Sequence, residues 1–198
     1  MWPWEHAALG YLLYSLSLRA LGRDPPADLA VLALAVATQF PDLLDKPLSW
    51  GLGLFPTGYA LGHSVFLAAP LGVGLLVWSA RAGRTQVGIA FVVGYWSHLA
   101  ADVFDPLRYG IAPLPARVLW PVVPRTPYEQ DLGLGRGLAY LGEFLTSLAA
   151  MDTLTLLVLY LLLPLGTVAV WLWDGTPGLT PVVRAVSAVG ARIRSVGR

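Results

Sequence analysis

The chain has no cysteine among its 198 residues. That absence excludes disulfides, thiolate metal ligands and a cysteine nucleophile. Charge is scarce as well: Asp, Glu, Lys and Arg supply 13% of the residues, about half the share of an ordinary soluble domain. Too few charged groups remain to coat a water-facing surface. The net charge is +1, which predicts no nucleic-acid partner. No positive region precedes the first apolar stretch, "MWPWEHAALGYLLYS", so no cleavable signal peptide is expected. Internal repeats and low-complexity segments are absent from the sequence.

Apolar residues are what is plentiful, at 56% with a mean hydropathy of +0.63. The chain is therefore read as an all-α, polytopic membrane helical bundle in the cell membrane, with lipid as its surroundings. A span needs about 20 apolar residues, and 61–80, 86–104 and 149–173 supply them. Two shorter apolar segments, 5–21 and 27–42, are separated by Pro25-Pro26, giving about five membrane-embedded helices. The Pro- and Gly-rich stretch 105–148 reads either as a lid or as a disordered excursion, with 126–148 its core. Residues 174–198 form a basic tail. In it Val182, Val186, Val189, Ile193 and Val196 fall on one helical face and the four arginines opposite, as in a surface helix.

If all five segments cross, Arg19, Arg23, Arg81, Arg84 and the tail arginines share one side. Lys46, Arg108, Arg117, Arg125 and Arg136 share the other. The first side is the more basic and is read as cytoplasmic. The three histidines, His6, His63 and His98, then all face outward, together with Asp42, Asp45 and Asp102. His98 and Asp102, four residues apart in "GYWSHLAADVFDP", occupy one helical face. Buried imidazole and carboxylate are costly alone but suit Zn²⁺, with Mn²⁺ or Fe²⁺ as substitutes. His6, Asp42, His63, His98 and Asp102 are the expected ligands, for one ion or for two sharing a carboxylate. Trp2, Trp4, Trp50, Tyr59, Trp96 and Trp120 near the same ends read as an interfacial belt.

The segments "EHAALGYLLYS", "FPDLLDKPLSW", "LGHSVFLAAPL", "GYWSHLAADVFDPL" and "VLWPVVP" occur in the order seen in the YdjM-like family of membrane-bound, metal-dependent hydrolases. The resemblance covers residues 1–125. That family is in turn similar to zinc-dependent phospholipase C and the single-strand nucleases of the same fold, whose metal-binding elements His6, Asp42, His63, His98 and Asp102 match in order. The chain departs from them in having no histidine after Asp102, no histidine four residues before Glu143, and no evident α-amino ligand. The resemblance implies one or two ions rather than a trinuclear cluster. The implied activity is hydrolysis of a phosphoester or lipid-like substrate, with Asp42 or Asp45 accepting a proton from water and Lys46 contacting the substrate. Two other readings stand beside it: an ion or metal transporter, for which Asp152 is the extra candidate, and a non-catalytic bundle stabilised by metal.

Overall fold

A computed structural model describes the backbone of residues 1–196 and the side chains of residues 1–184 and 186–188. The described residues contain helices and no strand, as the apolar periodicity predicts. The helices are α1 (Pro3–Ala20), α2 (Asp28–Lys46), α3 (Val65–Arg81), α4 (Thr85–Phe104), α5 (Arg136–Ala150), α6 (Thr153–Trp173) and α7 (Leu179–Val196). Their ends obey local chemistry. Pro3 opens α1, where a missing N–H costs nothing, and Glu5 accepts the free N–H of Trp2 at 2.8 Å. Ser64 caps α3 through Phe66 N–H, and Asp152 caps α6 through Thr155 N–H. Asp152 is exposed and its carboxylate is used in that cap, which removes it as a transport relay. Within α6, Pro164 would clash with the Tyr160 carbonyl in regular geometry; a π-helical turn, Leu157–Leu161, widens the helix there.

Helix α4 is the centre, packed against α1, α2 and α3. At one end of the bundle Tyr14 of α1 donates to the Gln86 carbonyl of α4, and Asp28 of α2 accepts Gly178 N–H. The other end holds the start of α1, the ends of α2 and α4, and the turn before α3. Small residues set the spacing. A Cβ on Gly94 of α4 would lie 2.8 Å from the Leu34 carbonyl oxygen and 3.0 Å from the Ala37 Cβ, both on α2. Helix α6 lies outside this core, yet its end is fixed to α1. Asp174 accepts from Tyr11 and Ser15 and pairs with Arg19, whose guanidinium lies 3.6 Å from the Trp173 ring centroid.

Among the described residues, two helices are long and apolar enough to cross a membrane: Thr85–Tyr109, which is α4 with its extension, and Thr153–Trp173, which is α6. Helix α3 has 17 residues, at the short limit for a span. Helices α1 and α2 do not qualify, because their ends carry Glu5, His6, Arg19, Asp42, Asp45 and Lys46. Hydropathy predicts five spans, and the alternation that puts the site on the outer face requires all five. The segment 126–148 also differs from an unstructured loop. Much of it forms α5, whose Tyr140 meets the Trp50 ring and whose Phe144 packs on Trp2. The tail backbone is helical through Val196; the side chains of Val189, Ile193, Val196, Arg192, Arg194 and Arg198 lie outside the described residues.

A Gly94→Ala variant should lower the melting temperature in detergent, through an overpacking cost of about 1–3 kcal/mol. Gly74→Ala, where a Cβ meets open space, should leave it unchanged or raise it. Equal melting for both variants would mean that α2 and α4 do not touch at Gly94.

Candidate metal centre

The five expected ligands converge at one end of the bundle. His6 comes from the second turn of α1, Asp42 from the last turns of α2, His63 from the turn before α3, and His98 and Asp102 from the last turns of α4. The three imidazoles are all but fully buried, and Asp102 is 3% exposed. Placing His63 requires a close approach. Gly62 presses on α2, where a Cβ would lie 2.9 Å from the Pro41 carbonyl oxygen, and Tyr95 of α4 donates to the Gly62 carbonyl at 2.6 Å.

Hydrogen bonds fix which ring atoms face inward. His98 donates Nδ1–H to the Thr38 carbonyl at 2.7 Å, and His63 Nδ1 donates to Asp45 Oδ2 at 2.8 Å. With both Nδ1 protons committed, the Nε2 lone pairs of His63 and His98 meet at 3.2 Å. Two lone pairs so close repel unless a proton on one ring or a metal ion lies between them. The carboxylates complete the surround. Asp102 Oδ2 is 3.3 Å from His63 Nε2 and 3.5 Å from His98 Nε2, and Asp42 Oδ1 is 3.5 and 3.9 Å from the same atoms. Donors each about 2.0–2.1 Å from a shared tetrahedral ion stand about 3.3 Å apart. These separations match that spacing, so the residues fit a divalent ion.

Asp102 also reaches a second set of donors. Its Oδ1 lies 3.4 Å from His6 Nε2 and 3.3 Å from the Met1 amine. The His6 ring stacks on His98, with centroids 3.7 Å apart, and His6 Nδ1 is buried without a hydrogen-bond partner. Two groups of buried side chains, His6–His98–Asp102 and Asp42–His63–His98, could each hold an ion.

Asp45 departs from its expected role as proton acceptor. It is fully buried. Its Oδ1 accepts Gly62 N–H, while Oδ2 accepts Ala60 N–H, His63 N–H and the His63 ring. Shut away from solvent and holding four N–H donors, Asp45 orients His63, as carboxylates behind metal-binding imidazoles do. Lys46 lies 2.5 Å from Asp42 Oδ2, and its charge is committed to that carboxylate. Burial pulls the His63 pKa down, but hydrogen bonds with Asp102, Asp42 and Asp45 outweigh it and raise the value to about 10.

A cavity of about 610 Å³ adjoins the cluster, lined by Glu5, Lys46, Tyr59, Arg108, Arg117 and Arg125 among others. Most of these carry no site signal in the sequence. Tyr59 packs edge-on against His63 with centroids 4.8 Å apart. Burial first, and then the Asp102 charge, push its hydroxyl well above the ordinary tyrosine range. Glu5 is fully buried and accepts from Arg108 at 2.6 Å; an acidic residue three places after the cap of α1 was the available signal.

A family model described as YdjM inner membrane protein matches residues 1–174, from α1 through α6. No curated protein and no solved structure matches the chain.

Because His63 holds a proton below about pH 10, a metal has to displace it. Calorimetric titration with Zn²⁺ at pH 7, in buffers of different ionisation enthalpy, should show release of about one proton per ion. No release would remove His63 from the ligand set. Elemental analysis should find a divalent metal in the wild type and almost none in His63→Ala/His98→Ala; equal contents would place the metal elsewhere.

Proposed function

The chain belongs to the YdjM inner membrane protein family, and on that premise we propose that it is a membrane metal-dependent hydrolase acting on a phosphoester of a lipid or lipid-like substrate. The observation that carries this reading is the cage of His63, His98, Asp42 and Asp102 donor atoms 3.2–3.9 Å apart, with two of its rings locked from behind. Zinc is the ion best suited to that nitrogen and oxygen set, with manganese or iron as substitutes. When bound, such an ion makes water acidic and polarises a phosphoryl oxygen.

The chain's own groups supply the rest. Asp42 has one oxygen toward the cluster and the other on Lys46, and it is the most exposed of the cluster carboxylates, so it is placed to take a proton from water. Against the cost of burial, the hydrogen bond with His63 and then the Lys46 charge hold that carboxylate ionised. Asp45 and the Thr38 carbonyl keep the His63 and His98 rings from rotating. The tyrosine hydroxyl of Tyr59, protonated at neutral pH, offers a donor on the cavity side of the cluster.

The transporter reading needs ionisable groups leading through the bundle. Between the cluster and the far end, the interior is instead built from Tyr11, Tyr14, Leu34 and Ala90. A purely structural metal site would be sealed, whereas Asp42 and Tyr59 connect this one to the cavity through Lys46 and the cavity wall. Both observations favour the enzyme.

Purified, metal-loaded protein incubated with a panel of phospholipids and lipid phosphates should release phosphate or headgroup, read by mass spectrometry. Chelation, and separately Asp42→Asn, should lower that rate by about 10²- to 10⁴-fold. Unchanged lipids across every headgroup class would overturn the proposal.

A further inference from the structure

Four cationic side chains line the cavity beside the cluster: Lys46, Arg108, Arg117 and Arg125. Two are neutralised. Lys46 pairs with Asp42, and Arg108 pairs with Glu5 and Asp105. Arg117 and Arg125 have no carboxylate partner among the described residues. Arg117 gives one Nη1–H to the backbone carbonyl of Asp102 at 2.7 Å, and its buried Nε–H has no acceptor. Both guanidinium groups lie against one aromatic ring, 5.1 and 5.6 Å from the Tyr59 centroid, and that ring touches His63. Two unbalanced guanidiniums are thus fixed next to the metal-binding cluster, in a space large enough for a ligand.

We propose that Arg117 and Arg125, flanking Tyr59, form a subsite for the phosphoryl group of the substrate. It rests on the hydrolase reading and narrows it. A guanidinium offers N–H groups in a planar fork that matches two oxygens of a phosphate. An acyl ester has a single carbonyl oxygen and no charge, and it would leave both cations unbalanced. The subsite therefore selects phosphate esters over carboxylic esters. Tyr59 keeps the arginines facing the cavity, and the Asp102 carbonyl ties Arg117 to the helix that carries His98.

The test measures binding rather than turnover, so it can succeed or fail independently of hydrolysis. Inorganic phosphate is titrated into the detergent-solubilised, metal-loaded protein, with acetate as the comparison anion. Wild type should bind phosphate in preference to acetate. Arg125→Gln should weaken phosphate binding about 10- to 100-fold, Arg125→Lys should lose less, and Arg84→Gln at the far end should lose nothing. Arg117→Gln risks the fold, since Arg117 holds the Asp102 carbonyl, so the Arg125 series decides. Phosphate affinity unchanged in Arg125→Gln, or equal affinity for acetate, would overturn the subsite. Arginine-dependent phosphate binding without hydrolysis of any lipid would uphold the subsite and reject the hydrolase reading. Competition by a short-chain phosphatidic acid in mixed micelles supports a lipid phosphate as occupant, and failure to compete supports a water-soluble one.

Discussion

The two imidazole nitrogens that meet at 3.2 Å are the constraint around which the structure is built. Neither ring can turn away, because one is tied to Asp45 and the other to a backbone carbonyl. Both are shut in an apolar bundle where unshared lone pairs and unpaired carboxylates are expensive. A positive charge at that point relieves every neighbour at once. Without a metal the His63 proton serves; with one, the ion takes its place. The turn that carries His63, the small residues that draw α2 to α4, and the buried Glu5–Arg108 pair all keep this meeting point in register.

Much of this is legible in the sequence, and the reasons are local. A histidine and an aspartate four residues apart must share a helix face. Helices that alternate in direction must return their ends to the same side, so histidines near segment ends gather there. Four of the five candidate positions rest on those two facts, and Asp42 follows from its place at the end of the second apolar segment. The roles of Asp42 and Asp45 are not separable in the sequence, because only the folded turn shows three backbone N–H groups closing on Asp45. Tyr59 is not legible there as a neighbour of Arg117 and Arg125 because it lies far before them in the chain, in an irregular segment with no period to connect it to them. Of the five apolar segments, α1 and α2 fall short of a span by length and composition for a different reason. Hydropathy alone gives α1 and α2 credit for apolar residues that face other helices, and it ignores the charges that crowd their ends.

The cavity and the cluster divide the work between rigid and adaptable parts. The candidate ligands sit on helix ends and on one turn clamped by Tyr95 and Gly62. The cavity walls come largely from the segment after α4, with α5 resting on Trp2 and Trp50. The candidate cluster thus stands on the bundle and the cavity wall on the covering segments, an arrangement common where loops on a fixed scaffold choose the ligand.

Helix α6 is held to the rest of the molecule along its second half, where Thr167 donates to the Ala8 carbonyl and Val170 and Trp171 pack on the core, and by polar groups at two further places. At its far end Asp174 grips Tyr11, Ser15 and Arg19 of α1. Near its start Tyr160 meets Tyr109 through their hydroxyls and lies 5.6 Å from the Arg108 guanidinium. Almost all of the rest of this helix faces outward. Arg19 and His6 belong to the same helix, so the network at Asp174 ties the far end of α6 to the element that carries one face of the imidazole stack.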